Sequence, residues 1–237
     1  MAEYHEGDVP KGPSLFRRLI IFIFKGGFYF VALSILLVGF FAIIPVPITA
    51  TMLMDENGVT KSWRSLDEIS PNLVRAVIAA EDSKFCSHNG FDTEAIEKAI
   101  ENNRKGKKLR GGSTISQQTA KNVFLWQNGG YVRKGLEAWF TMLIEFIWPK
   151  SRIIEVYLNV AETGIGTYGA EAGAQRYFNK SADNLSKSEA ARIAAALPAP
   201  KKRAVNGASG FTRRYGNSIS SRISIVKRDG LDSCIYK

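Results

Sequence analysis

Hydrophobic positions divide the chain in two. Residues 26–54 include no charge, and residues 26–44 form a nearly continuous apolar run of 19. As a helix this run would rise roughly 29 Å, about one hydrocarbon core. Residues 19–24 extend it, Lys25 can snorkel to the interface, and Pro45 and Pro47 stop it. The pattern predicts a single transmembrane helix over 19–44 behind a cytoplasmic segment 1–18. Lys11, Arg17, Arg18 and Lys25 lie on its N-terminal side, which orients the N-terminus to the cytoplasm and residues 45–237 to the outside. A cleaved signal peptide fits less well: the run is too long, and Ile48-Thr49-Ala50 is a poor cleavage site. A buried core helix would need a solvated face that this stretch does not offer.

Beyond Pro47 the apolar residues recur at helical spacing. Ser70-Pro71 starts a helix with Leu73, Val77 and Ala80 on one side, running out near Glu81-Asp82. Asp92-Thr93 opens a second, which ends in the basic run 104–110. Gly111-Gly112 leads into a third, where Thr114-x-x-Gln117 fits a capping box. Residues 133–148 are amphipathic, and 151–161 form another helix. Leu185-Ser186-x-x-Glu189 caps one that ends at Pro198, and a terminal helix is expected around 219–226. No period-2 run is long enough to anchor a sheet, although short strands near 48–54 and 59–63 fit. The fold class expected is mainly α, one exported domain behind one anchor.

Charge narrows the partners. Lys and Arg number 32 against 22 Asp and Glu, a net +10. Residues 1–25 carry only +1 of it, so the excess belongs to the exported part. Such a domain favours polyanions: nucleic acid, an anionic membrane surface or phosphorylated substrates. Two cysteines and two histidines leave little for a disulfide framework or a zinc site. An oxidising compartment leaves Cys86–Cys234 pairing open, though a bridge beside the loop after Glu81 is not expected. The chemistry falls to carboxylates, hydroxyls, amides and cations.

Three segments hold these groups. Glu81 and Asp82 lie at a helix exit, where the dipole disfavours a carboxylate and raises its proton affinity, as suits a general base. An ordinary solvated loop fits that segment equally. Thr114, Gln118 and Lys121 fall at i, i+4 and i+7 on one helix face, a line suited to an oxygen-rich anion, or simply the wet side of an amphipathic helix. Glu137 follows Arg133 and Lys134 by one turn, a second carboxylate or an intrahelical ion pair. Ser224-x-x-Lys227 matches an acyltransferase motif without its companion motifs, and is read as chance.

Taken in order, the segments resemble glycosyltransferase family 51, the peptidoglycan glycosyltransferases. Glu81-Asp82-x-x-Phe85-x-x-His88-x-Gly90-x-Asp92 is similar to the first family signature, and the run from Arg110 through Ser113, Gln117 and Lys121 to Asn122 to the second. Arg133-Lys134-x-x-Glu137 through Glu145 resembles the third. Arg152 to Asn159, with Gly164, Gly169 and Gln175 to Phe178, resembles the fourth. Leu185 through Pro200 resembles the fifth. The match spans 71–200, and with one anchor and no room for a transpeptidase domain it points to the monofunctional branch.

That resemblance implies a lysozyme-like fold with one lobe sunk in the outer leaflet of the cytoplasmic membrane. It implies lipid II as substrate, polymerised into β-1,4 glycan with inversion and release of undecaprenyl diphosphate. Glu81 and Glu137 would be the catalytic carboxylates, Glu81 as the base. Lys121 and Arg133 would hold diphosphate. Thr114, Gln118 and Asn159 would position sugar and phosphate oxygens, and Phe85 and Tyr157 would line the cleft. Asp82, His88, Arg110, Ser113 and Gln117 complete the substrate-binding set. No cofactor is required; a divalent cation, Mg or Mn, at the diphosphate is the one admitted, with no protein metal site. Partners would be lipid II, the growing strand, the cytoplasmic (inner) membrane and other cell-wall synthesis proteins, and not nucleic acid. One position departs: Gly129 stands where the family usually carries an arginine, eight residues before Glu137. Two other readings remain at this point, a membrane-anchored lytic murein hydrolase and a non-catalytic binder of anionic polymers.

Overall fold

The structure, a computed structural model, describes residues 14–104, 112–127 and 129–236. Arg110 and most of the basic run before it lie outside the described residues. The chain divides into two compact units, 1–37 and 38–237.

Helix α1 (Leu15–Phe41) occupies the described part of the first unit and ends inside the second. At 27 residues it is about 40 Å long, and it is apolar enough to cross a membrane. Phe22, Phe24, Phe28 and Leu36 all stand exposed on it. It begins four residues earlier than the sequence pattern suggests and stops at Phe41. The chain then turns through residues 42–44 ahead of Pro45, whose ring disfavours helix at the residue before it.

In the second unit the end of α1 is part of the core. Val38 and Val46 are fully buried, and the Val38 carbonyl accepts from Trp148 Nε1 at 2.8 Å. Arg152 donates to the Phe41 and Ile44 carbonyls at 3.0 and 2.7 Å. Residues 48–54, where the sequence pattern admits a short strand, hold a short helix α2 (Ala50–Leu53) instead. Thr49 Oγ1 caps it, accepting from the Met52 N–H at 3.3 Å, a local bond that outweighs the β-propensity of the run.

Strand β1 (Thr60–Lys61) is followed by α3 (Pro71–Glu81), α4 (Thr93–Arg104), α5 (Ile115–Phe124), α6 (Tyr131–Ile147) and α7 (Lys150–Val160). Then come β2 (Glu162–Gly164), β3 (Thr167–Tyr168), α8 (Ala170–Phe178), α9 (Lys187–Ala196) and α10 (Gly210–Arg228). A small sheet forms, with β1 inside the short strand admitted at 59–63: β3 pairs parallel with β1 and antiparallel with β2. Strands of two or three residues are too short for alternation to reveal. α10 is also longer than the 219–226 expected.

Two helix groups carry the site. α3 packs against α9 and α10, while α5 packs against α6 and α7. Both expected capping boxes are present, Thr114 with Gln117 and Ser186 with Glu189, and they fix where α5 and α9 begin. Cys86 and Cys234 form a disulfide, which corrects the sequence expectation. Across 148 residues of separation, only the packing of the C-terminal segment under α3 reveals it. Arg75 of α3 reaches Asp232 at 2.6 Å in the same place.

Candidate active site

Glu81 is the last residue of α3, and the first turn of α5 is built against it. Asp82 Oδ2 accepts the Ile115 N–H at 3.0 Å, so the C-terminal end of α3 is fastened to the N-terminal end of α5. One turn into α5, Gln118 Nε2 donates to Glu81 Oε2 at 2.8 Å. Tyr157 of α7, fully buried, donates its hydroxyl to Gln118 Oε1 at 3.4 Å and so orients the amide. Burial raises the phenol's pKa well above its ordinary value, with the charges of Glu81 and Asp82 adding to it, so Tyr157 stays a donor.

The other oxygen of Glu81, Oε1, is buried and has no hydrogen-bond partner among the described residues. Burial pushes the Glu81 pKa up; the Gln118 bond and the charges of Arg203 and Lys121 partly offset this, and Asp82 reinforces it. A half-buried carboxylate with one oxygen unclaimed is poised to accept a proton.

Lys121 lies one turn beyond Gln118 on the same face. Among the described residues it has no hydrogen-bond or ion-pair partner. Burial lowers its pKa; Glu137 and Glu81 draw it up, and Arg133 and Lys134 oppose them. Glu137, 3% exposed, is clamped by Arg133 Nη1 at 2.8 Å and by Lys134 Nζ. The site is thus a line of alternating charge: Glu81, then Lys121, then Glu137 with its two cations. A base at one end and a cluster of cations at the other suits displacement of an anionic leaving group.

Several expected site residues hold this frame rather than face an open cleft. Thr114 donates to the Gly90 carbonyl at 2.6 Å while capping α5, and Gln117 Oε1 accepts the Thr114 N–H at 3.0 Å. His88 Nδ1 accepts the Gly90 N–H at 3.1 Å, which leaves Nε2 to donate to Asp82 at 3.0 Å. Gly90 has φ +89°, and a Cβ there would lie 2.8 Å from Thr141 Cγ2. Phe85 is fully buried beneath Lys150, whose Nζ is 4.6 Å from the ring centroid. Asn159, also fully buried, spends its amide on the Arg64 N–H and carbonyl and on the Glu155 carbonyl, each at 2.8 Å. The polar atoms of Thr114 and Asn159 are thus engaged within this frame. Ser113 is exposed just ahead of the α5 cap.

Sequence reasoning missed Arg203 and Tyr215. Arg203 acts on the charge of Glu81 while its Nη1 donates to the Ala195 carbonyl at 2.9 Å. Tyr215 donates to the carbonyl of Ala80, the residue before Glu81, at 2.8 Å. Both belong to the stretch after Lys201 that no motif covered, and no local pattern marks them.

Glu137 is the carboxylate that a cation at a diphosphate would meet, but both its oxygens are taken by Arg133 and Lys134. No three His, Cys, Asp or Glu side chains converge among the described residues. The donor set does not fit a resident metal, and the steps below use none. A separate cavity of 520 Å³, lined by Asp55, Trp126, Glu162, Tyr168 and Lys201, includes neither Glu81 nor Glu137.

The sequence profile of the family described as Transglycosylase matches residues 48–223, extending past both ends of the motif-bearing core. A "Biosynthetic peptidoglycan transglycosylase" of Caulobacter vibrioides is 50% identical over 224 residues, 93% of this chain and 96% of that protein. A protein of the same name from Rhodospirillum centenum is 52% identical over 178 residues, 75% of this chain and 77% of its own. One from Xanthomonas campestris is 47% identical over 226 residues, 91% and 89% of the two chains.

Proposed function

The chain belongs to the transglycosylase family, and from that premise we propose that it polymerises lipid II into β-1,4 glycan strands and releases undecaprenyl diphosphate. It is a peptidoglycan glycosyltransferase of mainly helical, lysozyme-like fold. The observation that carries the finer reading is Glu81: a half-buried carboxylate, held through one oxygen by Gln118 and, among the described residues, unclaimed at the other, which is buried.

In the reaction, the sugar hydroxyl of the acceptor attacks the anomeric carbon of the donor. The new C–O bond forms as the bond from that carbon to the diphosphate oxygen breaks, inverting the centre. Glu81 takes the hydroxyl proton. The diphosphate leaves with its electron pair as a stable anion, so it needs cations rather than an acid. Lys121, unpaired among the described residues, supplies one directly. Glu137 holds Arg133 and Lys134 beside it, and these neutralise charge at the same end.

α1 anchors the protein in the cytoplasmic membrane, with the basic residues before it on the cytoplasmic side and the catalytic unit outside. The Cys86–Cys234 bridge supports that placement, since disulfides persist in oxidising compartments. Supplying labelled lipid II and finished murein separately tests the reaction. Consumption of lipid II alone, with diphosphate release, is the expected result; breakdown of murein would mark a hydrolase.

A further inference from the structure

Besides the basic run 104–110, one longer stretch of the sequence is strongly basic. Residues 187–228 hold ten Lys or Arg and a single acid, Glu189, for +9 of the chain's +10. Among the described residues only Lys201 and Arg228 of these ten pair with carboxylates. Glu189 is engaged by Lys180, outside the segment. A folded surface that leaves like charges unneutralised loses stability to self-repulsion, and an anionic partner relieves it.

Five of these cations, Lys187, Arg192, Arg213, Lys227 and Arg228, border clefts along α9 and α10. Gly216 of α10 faces Ala195 of α9 at the floor of the groove, where a Cβ would lie 3.7 Å from Ala195 Cβ, an ordinary contact. Above this floor is a cleft of 280 Å³ walled by Arg192, Arg213 and Ser220. A second cleft of 370 Å³ takes in Lys187, Ser224 and Lys227. Arg213, Ser220 and Lys227 recur every seven residues, so they share one side of α10, and from first to last they span about 21 Å. Lys187 Nζ bonds Ser224 Oγ at 2.9 Å across the groove. Ser224 of the Ser224-x-x-Lys227 match is thus an exposed groove residue that accepts from Lys187.

We propose that the α9–α10 groove holds the anionic stem peptides of the nascent glycan strand, apart from the site of bond formation. The inference rests on the glycosyltransferase reading for the identity of the strand. Cations separated by hydroxyls and amides match a polymer whose repeat offers sugar hydroxyls, amides and carboxylates. A groove fits a chain better than a flat lipid surface. The same helix reaches the reaction centre, because Tyr215 on its other side bonds Ala80 beside Glu81.

The test uses full-length protein in detergent micelles and fluorescent, uncross-linked glycan strands. Strands with intact stem peptides should bind about tenfold more tightly than strands stripped of them by amidase, and added salt should erase the difference. The K187Q/R213Q/K227Q variant should lose this preference, whereas R213K should keep it. The variant should still join two lipid II molecules at a rate within about twofold of wild type, as exposed charges remote from the bond-forming site affect it little. Equal binding of stripped and intact strands would overturn the proposal. So would a variant that binds like wild type, or one whose loss appears only with phosphatidylglycerol vesicles. Strand binding is read without turnover, so absence of lipid II polymerisation would count against the catalytic reading alone.

Discussion

Gln118 holds Glu81 by one oxygen, 2.8 Å from Nε2 to Oε2, and leaves the other oxygen buried and unclaimed. That bond favours the ionised carboxylate, while burial disfavours it, and burial is the larger effect. The folded pKa of Glu81 therefore lies above its unfolded value. The enzyme should lose kcat/KM as pH falls through this raised pKa, because the base becomes protonated. Replacing Gln118 by Met removes the offsetting bond, so the acid limb of the pH–rate profile should move to higher pH. An unmoved limb would dissociate Glu81 from the titration.

The same shift has a consequence for stability. A raised carboxylate pKa means that the folded state binds the proton more tightly than the unfolded one. Stability is lost as pH rises through the window above the unfolded value. Glu81→Gln carries no charge at any pH, so it should raise Tm at neutral pH while abolishing turnover. Thermal unfolding at pH 7 and pH 4 checks this: the gain should shrink at the lower pH.

Gly129 stands where the family usually has an arginine, and the structure indicates what an arginine would meet. A Cβ at 129 would lie 2.8 Å from Arg133 Cβ and 3.2 Å from Trp126 Nε1. Gly129→Arg should therefore lower kcat/KM rather than add a useful cation. Arg133→Ala should lower it at least about tenfold, because Glu137 is buried and loses one of its two charge-assisted bonds. Steady-state kinetics at fixed salt and detergent check both; a gain from Gly129→Arg would contradict the packing described.

The Cys86–Cys234 bridge closes a loop of 148 residues and ties the C-terminal segment to the residues after Asp82. Loop-closure entropy puts its contribution at about 2–5 kcal/mol. Reduction, or the Cys86→Ala/Cys234→Ala pair, should lower Tm by about 5–15 °C. Calorimetry with and without dithiothreitol measures it, and an unchanged Tm would rule out the strut.

Helix α6 presents Val132 at 80%, Met142 at 52% and Phe146 at 89% exposure, an apolar stripe that the described residues leave uncovered. Such residues suit a lipid interface. A chain beginning at Val38 keeps the buried Val38 and Val46 and should float with phospholipid vesicles. The V132S/M142S/F146S variant of it should not. Flotation of the variant would remove α6 as the contact.

The legible parts of this protein were local. Ser70-Pro71, the Thr114–Gln117 box and the Ser186–Glu189 box each act within one turn, so they marked helix starts that the structure contains. The spacing of Gln118 and Lys121 likewise placed both on the face near Glu81. What stayed hidden depends on tertiary packing. Asp82 reaches the Ile115 N–H across 33 residues, and Arg203 acts on Glu81 from a stretch without motif. Asn159 carried the right chemistry for substrate, but its burial turns that chemistry toward backbone.

The central claim is that Glu81 is the base that activates the acceptor hydroxyl. The most direct measurement compares wild type with Glu81→Gln on labelled lipid II, followed by muramidase digestion of any polymer. Wild type should yield polymer that digests to disaccharide units. Glu81→Gln, folded and still binding lipid II, should fall by about 10²–10⁴-fold, the usual contribution of a general base. Polymerisation by the folded variant within about tenfold of wild type would contradict the account.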